Sequence, residues 1–337
     1  MDLTSPINYP YDSVRLTNEV ELIPNEWGLI NQLGVFETDR VATTMVEIGM
    51  SEGVITVLGA EERGNPGPVG AADDEKSVIV KIPHFPYDEI IKAGDLQDKF
   101  VFGSGRQQMR SVDTETQKRL VRIRRRQALT LEFLRMGALK GLILDGRGKT
   151  LYNLHTVFGV AKKTVDFKLG TAATDVRDKC EEVYAHIEDN LLGETMTGVE
   201  AMVSQEFFAK LVSHPNVEKY YLNYALAQGI AADRLETFQH GGILFRKYRA
   251  TVTGVDKVSR RLIAADYGHA RPTGTMESFK TVFGPPDHVN FANTEGPDIF
   301  VSPKVLDHGK GVELHSESNV LPYCARPAML VELLTSD

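Results

Sequence analysis

The sequence predicts an α+β chain, and three observations carry that reading. Residues Thr43 to Phe85 read as one very long β-hairpin, residues 113–142 hold the longest helical pattern, and the strands and helices after them are intermixed without a regular βαβ repeat. No internal repeat is visible in the 337 residues.

The first stretch, residues 1–42, combines Pro6, Pro10 and Pro24 with scattered apolar anchors such as Tyr9, Tyr11, Val14, Leu22, Trp27 and Ile30. It reads as an extended arm. A disordered tail would lack these anchors, whereas an arm docked on a neighbour needs them to offset the entropy lost on ordering. The hairpin, residues 43–86, follows. Its outgoing strand, Thr44 to Leu58, covers roughly 50 Å at 3.3 Å per residue. Gly64 to Gly70 supplies turn chemistry, Asp73, Asp74 and Glu75 an acidic tip, and Ser77 to Ile82 the return strand. A two-stranded ribbon is not stable alone in water. Its apolar positions, Val46, Ile48, Val54 and Val57 going out and Val78 and Val80 returning, are therefore expected to contact another copy of the chain. The alternative is a hairpin folded onto its own core.

The helix at 113–142 is capped by Asp113 or Ser111, carries Glu115 near its positive end and Lys140 near its negative end, and exits at Gly141. Leu120, Ile123, Leu131, Leu134 and Ala138 form one apolar stripe, with Gln127 filling the gap. The other faces are basic: Lys118, Arg119, Arg122, Arg124, Arg125, Arg126 and Arg135 stand against Glu132 alone. Arg119, Arg122, Arg124, Arg125 and Arg126 read as a surface facing DNA, as a solvated face, or as partners of acidic segments of another subunit, such as Asp178, Glu181, Glu182, Glu188 and Asp189.

After the helix, Lys149 to Leu154 and Thr164 to Leu169 read as a strand pair. A second amphipathic helix presents Val176, Cys180, Val183, Ile187 and Leu191 on one face. Val199 to Val203 reads as a short buried strand, and Ser204 caps a third helix with Phe207, Phe208, Leu211 and Val212 facing inward. Val217 to Ile230 continues as a Tyr-rich segment. Strands follow around Ile243 to Phe245, Tyr248 to Val255 and Arg260 to Ala264, and the closing strands are Val312 to His315 and Ala328 to Leu334.

Composition excludes several classes. The apolar share of 42% and charged share of 25% are those of a globular chain. No apolar run approaches the roughly 20 residues of a membrane span, and the first residues lack the regions of a signal peptide, so no membrane partner and cytoplasmic synthesis are expected. Cys180 and Cys324 have no CxxC spacing and read as buried free thiols. A net charge of −8 argues against gripping nucleic acid over the whole surface.

Nothing assembles into catalytic chemistry, and no cofactor, metal or catalytic residue is expected. Gly146 to Thr150 looks like the end of a phosphate-binding loop, but Ile143 occupies the position of the required glycine. Gly103-Ser104-Gly105 is a weak phosphate signal. Among the histidines there is no HxxH or HExxH pair. Asp266, His269 and Arg271 form the densest polar cluster, and Asp287 with His288 a smaller one; both read as loops with locally satisfied side chains.

The order of parts resembles that of tailed-phage major capsid proteins, more narrowly the lambda-like major capsid protein E family with the Hong Kong phage capsid fold. Gln117 to Leu129 with Ala138-Leu139-Lys140-Gly141 is similar to that family's spine helix and its exit. Val203 to Leu211 resembles its strand-to-helix step in the axial domain, and Ser318 to Val331 its end region. The resemblance implies a structural virion protein that forms hexamers and pentamers of an icosahedral head around double-stranded DNA, assembled in the host cytoplasm, with a portal, a scaffold and a decoration protein as further partners. It implies a peripheral domain of residues 87–169 plus 306–323 and an axial domain of 170–305 plus 324–337. Some phages with this fold lock their shells by a lysine-to-asparagine isopeptide bond; Lys76 or Lys81 is a candidate donor in the hairpin, but no acceptor asparagine or catalytic glutamate can be matched, and no crosslink is expected. Two other readings remain at this point, a soluble oligomeric enzyme with a swapped hairpin and a phage tail or baseplate protein.

Overall fold

A computed structural model describes residues 9–25, 27–50, 76–97, 111–227 and 235–336. In chain order the elements begin with α1 (Ser13–Leu22), α2 (Leu29–Leu33), β1 (Glu37–Arg40), β2 (Met45–Met50), β3 (Lys76–Lys81), β4 (His84–Lys92), α3 (Ala93–Leu96) and α4 (Val112–Lys140). Then come β5 (Leu142–Leu144), β6 (Thr150–Asn153), α5 (Leu154–Val157), β7 (Lys163–Asp166), α6 (Val176–Asp189), β8 (Gly198–Val203), α7 (Gln205–Ser213) and α8 (Glu218–Ala227). The remainder is strand: β9 (Thr237–His240), β10 (Ile243–Lys247), β11 (Thr251–Thr253), β12 (Ser259–Arg261), β13 (Tyr267–Thr273), β14 (Phe279–Phe283), β15 (Phe300–Val305), β16 (Gly311–Cys324) and β17 (Val331–Leu334).

Two compact units share the chain. The first comprises Met1–Val46, Val80–Phe133 and Thr281–Pro322; the second comprises Glu47–Ile79, Leu134–Lys280 and Tyr323–Asp337. In the first unit the long strand β16 is flanked by β15 on one side and β4 on the other, both antiparallel. The sheet's apolar face, with Ile91, Ile299, Val301, Val312 and Leu314, is covered by Leu120 and Ile123 of α4 and by Leu16 and Val20 of α1.

The arm is helical where it was expected to be extended, and it docks on its own chain. Asp12 caps α1 by accepting from the Arg15 amide at 2.8 Å, and Leu16 and Val20, one turn apart, both bury. From there the segment runs alongside α4 in the same direction. Tyr9 shares a hydrogen bond with Thr116, Tyr11 donates to Asp113, and Glu19 accepts from Gln117. Further on, Arg124 donates to the Ile23 carbonyl at 3.0 Å. At the far end the buried Glu132 carboxylate accepts from the Ile30 and Asn31 amides, each at 2.9 Å, and so caps α2. The single acid of the basic stretch is the group that fastens the arm. Gly28 is required there: its φ is +99°, and a Cβ would lie 2.4 Å from a Glu132 oxygen.

The second unit is built on a six-stranded sheet of order β7-β17-β13-β8-β10-β9. β10 runs parallel to β8 and β17 parallel to β7; β13 is antiparallel to both its neighbours. One face carries Val165, Val199, Ala201, Val203, Ile243, Phe245, Ala270, Val331 and Leu333, and α6 and α7 cover it with Val176, Cys180, Val183, Ile187, Phe207, Phe208 and Leu211. Ser204 caps α7 through the Phe207 amide. Cys180 and Cys324 are free and buried, and desolvation pushes each thiol up to about 12.

The other face of this sheet is polar. Glu200 on β8 is buried between Arg246 on β10, at 2.6 Å, and Arg271 on β13. In the next row His269 lies cross-strand from Glu332, which pairs with Lys162. Lys140, the last residue of α4, donates to the Leu262 carbonyl; burial lowers its pKa to about 8, with Glu332 pulling it back up and Lys162 pushing it down. The expected pairing of 149–154 with 164–169 is not formed. β6 pairs with β5 as a tight hairpin, while β7 joins β17, because the alternating Val165 and Phe167 belong to the apolar face of the larger sheet.

Two outcomes follow. Lys140 keeps its proton to pH 10.5 when unfolded but only to about 8 when folded, so between those values the unfolded chain binds more protons and stability rises with pH. The cost relieved is about 3 kcal/mol at 1.4 kcal/mol per unit, and in Lys140→Met that part of the rise is absent in calorimetry from pH 7.5 to 10.5. Second, Glu132→Ala orphans two amides and Gly28→Ala meets both strain and clash, so each lowers unfolding stability by about 1–3 kcal/mol and speeds proteolysis of residues 23–36, read by mass spectrometry.

Candidate functional site

The contact residues named from the sequence lie on the hairpin and on α4. β2 and β3 pair as a two-stranded sheet, and alternation along each strand divides its side chains between two faces. On one face Ile48 and Val80 are 3% and 4% exposed, with Val46 and Val78 half-buried, all within the single chain. On the other, Met45 is 53% exposed and Ile79 66%. The apolar set named from the sequence therefore has its two deepest members already covered by their own chain. The parity of the strand, which the sequence displays, identifies Met45 and Ile79 as the apolar side chains left outside. Val54 and Val57 lie outside the described residues.

The basic side chains of α4 divide into those used within the chain and those left outward. Arg119 donates to Glu89 at 2.7 Å and to Asp95 at 3.0 Å. Burial pushes the Glu89 carboxyl upward, but hydrogen bonds from Tyr87 and Arg119, together with the Arg119 and Arg122 charges, hold it below its ordinary value. Arg124 is held on the arm; burial lowers its pKa, and Asp298 and Glu21 oppose that shift. Arg126 lies with its guanidinium 4.7 Å from the centre of the Tyr87 ring. Arg122 is largely exposed, 3.9 Å from Glu89, and Arg125 is exposed with no carboxylate paired to it among the described residues. Arg135, in the last third of the helix, is buried.

The polar clusters considered from the sequence are dispersed. Asp266 pairs with Lys210 at 3.0 Å, Arg271 with Glu200, and His269 sits in β13, where burial, Lys140 and Lys162 hold its pKa well below the ordinary value. The region is a strand and not a loop. The Asp287 amide donates to Glu317, and His288 packs against both Phe291 and Phe300, which also touch each other. At Gly146–Thr150 the amides of Arg147 and Lys149 both donate to Asp145 at 2.8 Å, so the β5–β6 turn has used the groups a phosphate would need. Gly103 to Gly105 lies outside the described residues. Among the described residues no group of three or more His, Cys, Asp or Glu could hold a metal, and no helix is long and apolar enough to cross a membrane.

Comparison with known proteins matches this architecture. Residues 12–335 fit the sequence model of the phage major capsid protein E family. The major capsid protein of Pseudomonas phage KPP10 is 33% identical over 96% of each chain. Among solved structures, a candidate capsid protein of a prophage in Escherichia coli CFT073 superposes with a TM-score of 0.61 at 13% identity, over 97% of this chain and 99% of the other. The mature capsid of bacteriophage PhiM1 gives 0.50 at 12% identity, over 90% and 85%. With the family match running across nearly all of its length and a relative one-third identical, the chain belongs to the phage major capsid protein E family.

Proposed function

We propose that this chain builds the head of a tailed double-stranded DNA phage, with copies joining as hexamers and pentamers into a closed icosahedral shell. The observation that carries the reading is family membership over residues 12–335, in a chain whose hairpin base holds two large apolar side chains out to solvent. Met45 and Ile79 gain a dry environment only when another surface covers them, and the cheapest such surface is a second copy. The shell encloses DNA by non-specific contact. A net charge of −8 suits a wall that must not grip its cargo everywhere, since each phosphate contact adds binding free energy. Assembly in the host cytoplasm, a portal, a scaffold and a decoration protein belong to the same reading.

Sedimentation and negative-stain imaging of the expressed chain test it. Closed shells are expected; a small discrete oligomer would point to a soluble enzyme, and tubes to a tail or baseplate protein. In the same assay Met45→Lys with Ile79→Lys is expected to lower shell yield several-fold. Both positions are exposed, so the thermal unfolding of the soluble chain should change by no more than about 0.5 kcal/mol per site.

A further inference from the structure

The face of α4 that the arm leaves open is mixed, and the mixture points to a partner. Along it Lys118, Arg122 and Arg125 follow one another at four and three residues, which places three cations on one line of the helix, with Lys118 paired to Glu115 at 3.3 Å and Arg122 3.9 Å from Glu89. Beside them Val121 is 43% exposed and Leu129 40%. Arg119 and Arg124 take no part, being held by Glu89, Asp95 and the Ile23 carbonyl. Double-stranded DNA would reward the cations through its phosphates but would leave both aliphatic side chains against a charged backbone. A protein surface with acids around a small apolar centre would satisfy both.

The chain itself displays such a surface. On α6 the side opposite Val176, Cys180, Val183 and Ile187 carries Asp178, Glu181, Ala185 and Glu188, spaced by three, four and three residues and all exposed. Lys163 and Lys179 are both committed to Glu182, at 2.9 and 3.1 Å, and leave the three acids of this line free of cations among the described residues. The two ridges have comparable length, about 10 Å from Lys118 to Arg125 and about 15 Å from Asp178 to Glu188 at 1.5 Å per residue. They are opposite in charge, and each has a small apolar element among its charges.

We infer that the open ridge of α4 docks on the α6 ridge of a second copy, with Arg122 and Arg125 facing Asp178 and Glu181, and with Leu129 closing over Ala185. Donor and acceptor surfaces lie on different parts of the same sequence, so the contact is head-to-tail and propagates from copy to copy, closing into a ring when the rotation allows. The inference rests on the self-assembly proposed above and names one of its contacts.

A charge-exchange experiment on the full chain tests it. Arg122→Glu with Arg125→Glu, and separately Asp178→Lys with Glu181→Lys, should each reduce shell yield at least about tenfold, because like charges then face one another at every repeat of the contact. The four substitutions together should restore yield to near the parent level. All four positions are exposed, and unchanged circular dichroism and unfolding midpoints of the soluble chains would exclude a folding defect. Shells at parent yield from either double variant would overturn the inference, as would failure of the quadruple variant to recover. Normal shells that retain less DNA would assign the α4 ridge to the genome instead. Absence of shells from the parent chain under the same conditions would sink the assembly reading itself, which separates the two failures.

Discussion

The first unit depends on covering its share, residues 112–133, of a 29-residue helix that cannot be left bare. At 1.5 Å per residue α4 is roughly 44 Å long, longer than the sheet beneath it needs, and burying a single stripe leaves most of its circumference in water. The chain answers with its own N-terminal segment, which runs along the helix from Thr116 to Glu132 and is fastened at intervals by polar bonds between apolar contacts. Each fastening uses a group that the helix exposes in any case: a threonine hydroxyl, an arginine, a glutamate. The consequence is that α4 has a covered side and an open one, and the charges on the two sides do different jobs. Arg124 and Glu132 hold the arm, whereas Arg122 and Arg125 remain turned outward.

The second unit handles charge differently. Its sheet is dry on one face and ionic on the other, with Glu200 set between two arginines and Glu332 among Lys162, Lys140 and His269. Buried ion groups of this kind add little net stability, since desolvation takes back much of the Coulomb gain. Their value lies in register: Arg271 opposite Glu200 and His269 opposite Glu332 fix which residue of β13 faces which on β8 and β17, and a one-residue slip would carry those charges into the apolar face. Lys140 is the cost of that arrangement, a largely desolvated cation held at the end of a helix mainly by a carbonyl oxygen.

Much of this was legible in the sequence because periodicity and capping are local. Of the stripe, Leu120, Ile123, Leu134 and Ala138 are buried with Gln127 filling the gap, while Leu131 is half-buried, and Val176, Cys180, Val183 and Ile187 line the inner side of α6. Ser204 caps α7 by the bond its position implies. What failed was long-range. Nothing local says that β7 seeks β17 some 165 residues away and not the neighbouring β6. The arm was misread as extended because its prolines outweighed a weak helical signal, yet Asp12 and the Leu16–Val20 pair lay between those prolines. For the candidate surface, residue type alone could not tell Arg124, held by a backbone carbonyl, from Arg125, which is not; that distinction exists only once the arm has a path. On the hairpin, the face of each apolar side chain was readable from strand parity, but which face the chain itself covers was not.

Many copies that must close accurately around a cargo place a further limit on these surfaces. A strongly adhesive patch would trap misjoined copies, whereas contacts that are each weak can be broken and remade until a whole ring fits. The distribution seen here has that character: two lone apolar side chains at the hairpin base, three cations with two aliphatics on α4, and an acidic line on α6, none large enough to hold a pair of chains alone. Net negative charge works in the same direction. In the contact inferred above, copies would repel at distance and attract only where the basic ridge of α4 reaches an acidic line, so that long-range electrostatics would select the orientation and short-range apolar burial secure it. A basic surface spread evenly over the chain would lose that selectivity, whereas here Lys118, Arg122 and Arg125 stand on one line of a helix that the arm covers elsewhere.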